Sequence, residues 1–160
     1  MQDRIPLRYE KGHLVLYVWL INPKRPNDPR RVRFIIDTGS THTYLRPNDL
    51  IRLDINHQTL DATGTVNLSG TTYNHVPLKE LTMILLAGQN RENQDQFLQR
   101  NVLLNTLRPT DEEQPIPHHL PALLGMDFLI EQKLSLHIIP TEELAYLEVS
   151  DEETNKTVNG

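Results

Sequence analysis

The residues with the clearest capacity for chemistry are Asp37, Thr38, Gly39 and Ser40, inside the run FIIDTGSTHTYL from Phe34 to Leu45. An apolar strand there runs straight into a carboxylate. Burial at the end of such a strand disfavours the carboxylate's charge, while neighbouring backbone N–H groups and the Thr38 and Ser40 hydroxyls can donate to it and favour that charge. Such a balance suits a general acid or base. Gly39 leaves room for close backbone approach. The same triplet is also ordinary turn chemistry after a strand, because Asp, Thr and Gly are all common in turns, so taken alone it is only suggestive.

A second segment raises its weight. PALLGMDFLIEQKLSLHII, from Pro121 to Ile139, places two leucines before Gly125 and then a short helical stretch. Taken together, FIIDTGSTHTYL and ALLGMDFL resemble the retropepsin-like aspartic peptidases, the single-domain family that includes retroviral proteases and related cellular and prokaryotic enzymes. The resemblance extends as an architecture over roughly His13 to Val149, though its specific motifs cover only about twenty residues. It implies an all-β, retropepsin-like closed β-barrel of the acid-protease type with one short helix. It also implies that Asp37 is the catalytic carboxylate, that Thr38 links two active-site loops across a dimer, and that Gly39 admits substrate backbone. Ser40 takes the small position after the glycine. Leu123, Leu124 and Gly125 then support the active-site loop from behind, and Asp127 is a helix-start partner rather than a second catalytic acid. The stretch from Thr59 to Val76 corresponds to the substrate-covering flap, with Gly70 near its tip.

Only one Asp-Thr-Gly is present, and peptide hydrolysis by this route needs two carboxylates sharing a proton around a water. The resemblance therefore implies a homodimer with Asp37 contributed by each protomer. It implies an extended peptide or protein substrate, and no metal, cofactor or covalent intermediate. Three features depart from the retroviral pattern: a long basic hairpin loop, an insertion from about Gly88 to Pro121, and two strands after the helix where chain ends would interleave with a partner's.

The elements that must position these residues are mostly strands. HLVLYVWLI, from His13 to Ile21, is nearly continuous in apolar and β-branched side chains, as a strand covered on both faces would be. It pairs with Val32 to Ile36 across the turn-rich NPKRPNDPRR, a hairpin with a long exposed tip. The cations at or beside that tip, Lys24, Arg25, Arg30, Arg31 and Arg33, read as a solvated loop. RPNDLIRLDI reads as a short helix or irregular turn. Thr65–Ser69 and Thr71–Val76 form a second hairpin turning near Gly70. Leu81–Ala87 is a buried strand, Gly88–Gln99 a loop or a short solvent-facing helix, and Asn101–Asn105 a further strand. Arg108 to Pro121, with four prolines, is a loop. Its adjacent His118 and His119 read as a surface pair, since no cysteine or helical His-x-x-x-His spacing supports a metal site. Leu134–Ile139 and Ala145–Val149 are two strands joined at Pro140. About seven strands in all argue a barrel or sandwich-like all-β domain over 1–150, with a polar tail at 151–160.

Composition narrows the function classes further. The 160 residues carry a formal charge of -5, with 21 acidic and 16 basic side chains, which gives no electrostatic footprint for nucleic acid. No cysteine is present, so disulfides, zinc-thiolate centres and cysteine nucleophiles are excluded. No signal-like or membrane-spanning apolar run is seen, making a cytoplasmic location the default expectation and membrane association unexpected. Two rivals to a peptidase are a peptide-binding module and a dimerisation module on the same fold. A glycosidase would also use paired carboxylates, but Trp19 alone is a poor sugar platform.

Overall fold

The computed structural model describes residues 4–68, 70–111 and 120–150. The tail at 151–160, His118 and His119 lie outside the described residues. Thirteen short strands and two six-residue α-helices account for most of them.

The central hairpin pairs β3 (His13–Ile21) with β4 (Arg30–Ile36), and β2 (Arg8–Glu10) adds to the other end of β3. Val15, Val18, Leu20, Val32 and Phe34 are buried, whereas Tyr17 and Trp19 face outward. The two faces are therefore unequal. Arg31 lies over the Tyr17 ring at 4.2 Å and Arg33 pairs with Glu10, so part of the basic cluster covers the outer face instead of waving in solvent. After β4 come the loop of interest, β5 (Tyr44–Leu45) and α1 (Pro47–Arg52). Pro47 starts α1 without sacrificing a helical donor, and the buried Asp49 carboxylate accepts from the Arg46 backbone N–H and the Arg46 guanidinium.

β6 (Gly64–Leu68) and β7 (Thr71–Pro77) form the expected second hairpin. Gly70 sits in its turn at φ +82, the left-handed region that favours glycine. β8 (Leu81–Gln89) is buried on alternate residues, and β9 (Asp95–Val102) runs back along it. The polar stretch read as a loop or helix is thus mostly strand. Its turn is made by Asn90, whose side chain accepts from the N–H groups of Glu92 and Gln94, and by Asn93 at φ 60. β9 follows the polar sequence because it is the edge of the sheet, with most of its side chains exposed.

β10 (Asn105–Pro109) begins where strand character was expected to end, and it extends to Pro109 because Asn105–Pro109 pairs antiparallel with Tyr73–Pro77. β11 (Ala122–Leu124) then inserts between β4 and β5, parallel to the first and antiparallel to the second. α2 (Met126–Glu131) leads to the hairpin of β12 (Leu134–Ile139) and β13 (Leu144–Val149).

The order of the main sheet is β6-β7-β10-β5-β11-β4-β3-β8-β9, with β2 attached to β3. This path has two ends, β6 and β9, which do not pair with each other, so the expected barrel is not a closed ring of hydrogen bonds. The expected single helix is two, because RPNDLIR completes a proper turn around Asp49. A separate three-stranded sheet, β1-β13-β12, uses the first described residues, β1 (Arg4–Pro6), against Tyr146–Glu148. One core joins the two sheets: Ile5, Leu16, Phe34, Leu50, Met83, Leu124 and Leu147 belong to the same buried cluster. No helix among the described residues is long and apolar enough to cross a membrane.

Candidate active site

Asp37 is the first residue beyond β4, partly exposed at the mouth of a loop that runs to Thr43. The strand continues into it: the Asp37 N–H donates to the Leu124 carbonyl on β11 at 3.0 Å, which fixes where the carboxylate leaves the sheet. Asp37 Oδ1 accepts the Gly39 N–H at 2.9 Å, and the Ser40 N–H closes the turn on the Asp37 carbonyl at 3.1 Å. A side chain at Gly39 would have its Cβ 3.2 Å from that same carboxylate oxygen, so the glycine keeps the acid's surroundings open. Ser40 Oγ donates to the His42 carbonyl at 2.7 Å and stiffens the second half of the loop. Thr38 is exposed, and no hydrogen bond to its hydroxyl is formed within the described residues.

Leu123, Leu124 and Gly125 lie directly behind this loop. Leu123 and Leu124 stand in register with Ile35 and Ile36 of β4, so the second motif is hydrogen-bonded to the strand that delivers Asp37. Gly125 is buried, and a Cβ there would come within 2.7 Å of the Ser40 carbonyl oxygen and collide with the backbone of His42. Glycine is required by contact, its backbone being otherwise extended. The next two N–H groups, of Met126 and Asp127, donate to the Ser40 and Thr41 carbonyls at 2.8 and 3.3 Å. The start of α2 thereby holds the loop by its main chain.

Asp127 does more than begin α2. Its carboxylate accepts the Phe128 N–H at 2.7 Å, the Thr43 hydroxyl at 2.7 Å and the Thr43 N–H at 3.2 Å. The Thr43 hydroxyl oxygen in turn accepts the Gly125 N–H at 3.0 Å. Thr43, fully buried, is thus the junction between the loop, α2 and the glycine, while its carbonyl is held by the backbone and side chain of Asn105. The sequence reading named Gly125 as a support of the loop and Asp127 as a helix-start partner, but singled out neither Thr43 nor Asn105. Thr43 and Asp127 are 84 positions apart, and nothing local marks them as partners.

Beside the loop stand three rings. The Tyr44 hydroxyl lies 2.8 Å from Nδ1 of His75 on β7, and the His42 and His75 ring centroids are 4.6 Å apart. Burial, with a contribution from the Asp127 charge, pushes the Tyr44 hydroxyl up to about 12. Burial and then the nearby His42 hold His75 below the ordinary imidazole value, with Asp127 pulling the other way. The β6–β7 hairpin, and Gly70 with it, is therefore connected to the Asp37 loop by side chains as well as through β10 and β5.

Between Asp37 and Thr43 the loop carries a single carboxylate, that of Asp37. A cavity of about 530 Å³ lies elsewhere, lined by residues including Asn22, Asp54, Leu60 and Leu81, and it contains none of the Asp37 loop. Among the described residues no cluster of three or more His, Asp or Glu side chains is arranged to hold a metal ion.

The family model for aspartyl proteases matches residues 25–128, a span that includes both the Asp37 loop and the Leu123–Gly125 motif. Among solved structures, the chain is similar to a retropepsin-like aspartic protease from Rickettsia conorii, with a TM-score of 0.55 and 18% identity. That similarity covers 93% of this chain and 91% of the other, so it extends through the β12–β13 hairpin. No curated protein matches the sequence.

Proposed function

The chain belongs to the aspartyl protease family, and from that premise we propose that it is an aspartic endopeptidase whose catalytic dyad is formed by Asp37 from two protomers. The observation that carries the proposal is the brace around Asp37. One carboxylate stands on a loop whose backbone is held at Asp37 by Leu124 and at Ser40 and Thr41 by the start of α2, with Gly125 packed against Ser40 and His42. Preorganisation of this kind is useful to an acid that must meet a second one in a set geometry.

The mechanism follows the general chemistry of aspartic proteases. Two carboxylates a hydrogen bond apart cannot both be ionised, so the pair holds one proton and titrates as a unit. The ionised member takes a proton from a water as it attacks the scissile carbonyl. The protonated member donates to the developing oxyanion, and a proton then passes to the leaving amine. Gly39 gives substrate backbone access to the dyad, and Thr38, exposed at the loop's outer turn, meets the partner's loop. The β6–β7 hairpin, turning at Gly70, covers the bound peptide.

In this arrangement β13 is paired on both edges within the chain, with β1 and with β12, so neither edge of β13 is free for a partner's strand. β12 is an end strand of the three-stranded sheet, with no further strand on its outer side among the described residues, and that edge would receive a second copy.

Cleavage of a mixed peptide library by the natural protein and by Asp37→Asn at matched concentration tests the assignment. Loss of at least about a thousandfold in the variant is expected. Equal cleavage by both proteins would remove Asp37 from the chemistry.

A further inference from the structure

Tyr44, His42, His75 and Asp127 come from four different elements, and they meet at the boundary between the Asp37 loop and the β6–β7 hairpin. His42 belongs to the loop, five residues after Asp37, and its carbonyl accepts the Ser40 hydroxyl. His75 belongs to β7. The residues opposite it in the sheet, Gly64 on β6 and Leu107 on β10, do not titrate. The groups that face it with charge or protons are Tyr44 from β5, His42 from the loop and Asp127 from α2.

The chemistry of the contact limits where the protons can be. Tyr44 keeps its hydroxyl proton throughout the working range, and it donates to Nδ1 of a neutral His75 when the imidazole proton is on Nε2. His42 Nδ1 lies 3.8 Å from Asp127 Oδ2. When both rings are charged, His75 Nδ1 carries a proton and no longer accepts from Tyr44, and two imidazolium rings stand 4.6 Å apart with the one Asp127 carboxylate of α2 beside them.

We propose that His42 and His75, with Tyr44 and Asp127, form a proton-operated latch between the catalytic loop and the flap strand, closed while at most one imidazole is charged and released when both are. His75 and His42 are positioning residues: they touch neither the dyad nor the attacking water. The idea rests on the reading of Asp37 as catalytic and of β6–β7 as the flap, and it adds a control that such a site does not itself require. Its outcome is a flap that loosens on acidification, raising KM, through a proton not carried by the dyad.

Two measurements test the latch, one independent of turnover. In the Asp37→Asn protein, imidazole nitrogen NMR is expected to show His75 as the Nε2–H tautomer at about pH 7.5. The β7 and 38–43 amides should shift together as His75 titrates, and His42→Asn should move that titration to higher pH. An Nδ1–H tautomer, or amides on the two elements that ignore His75, would overturn the proposal. In the active protein, the ratio of KM at about pH 5 to KM at about pH 7.5 should be about fivefold smaller in His75→Gln than in the natural protein, whatever their absolute rates. Gln accepts from Tyr44 but takes up no proton, so an unchanged ratio contradicts the latch. Absence of turnover in every protein would sink the peptidase reading while the NMR arm still decides the latch.

Discussion

At the scale of single residues, Gly125 connects sequence to function most tightly. Its Cβ position is filled by the backbone of the Asp37 loop, and backbone cannot rotate away as a side chain can. Gly125→Ala must push Ser40 and His42 outward and move the carboxylate that depends on them. We expect a stability loss of about 1–3 kcal/mol by urea unfolding, and a fall in peptide cleavage of about a hundredfold or more in the fraction that remains folded. A variant with natural stability and natural cleavage rates would mean that the loop does not need this support. Asp37 and Gly125 could be singled out in the sequence because each sits in a short string whose meaning is local. The residues that lock them together were not. Tyr44 meets His75 across 31 positions and Thr43 meets Asp127 across 84, pairings created by strand order alone. Asp127 was readable as a helix-start residue, but its hold on Thr43 was not.

At the scale of elements, apolar strands were easy to read and polar ones were not. β3 and β8 bury alternate or near-continuous side chains and were visible from their composition. β9 carries Asp-Gln-Phe-Leu-Gln-Arg-Asn-Val and looks like a loop, because an edge strand needs burial on one side of one neighbour only. The Asn90–Asn93 turn before it was the available signal, since asparagine tolerates the left-handed backbone found at Asn93.

The elements beside the flap also make a prediction about pH. His75 on β7 and His57, in the short turn that leads to β6, are both held below the ordinary imidazole value, each by burial first and then by a neighbouring positive charge, from His42 and Arg108 respectively. Their folded forms resist protonation more than their unfolded forms do. Stability from this source is therefore complete above about pH 6.5 and is lost as pH falls from there through the lowered folded values. Urea midpoints should decline between about pH 7.5 and pH 5.5, ahead of the carboxylate range, where Glu10, lowered chiefly by its hydrogen bond from Tyr17, begins to contribute. The His57→Gln, His75→Gln double variant should flatten that decline. A midpoint that rises on acidification through this window, or an equal decline in the double variant, would show that these two rings are not its source.

At the scale of the whole molecule, the chain is a mostly β unit with one main core, which draws on β1, the β3–β4 and β8–β9 hairpins, the two helices and the β12–β13 hairpin. The proposed dyad needs more than this core provides, because each chain supplies one Asp-Thr-Gly. Composition and strand spacing indicated the all-β class. The open path from β6 to β9 and the pairing of β1 with β13 within one chain were not legible, because edge pairing depends on the fold's final geometry and not on any local pattern.

The most direct test of a shared dyad is to mix the two proteins. Natural protein at fixed concentration is titrated with Asp37→Asn under conditions of subunit exchange, and peptide cleavage is followed. Because a mixed dimer holds one Asp37, the account predicts that activity falls steadily as the variant is added, to about a tenth of its starting value at about tenfold excess. Activity that stays constant in the presence of excess variant, with exchange demonstrated independently, would contradict it: the natural chain would then be cutting without a second Asp37.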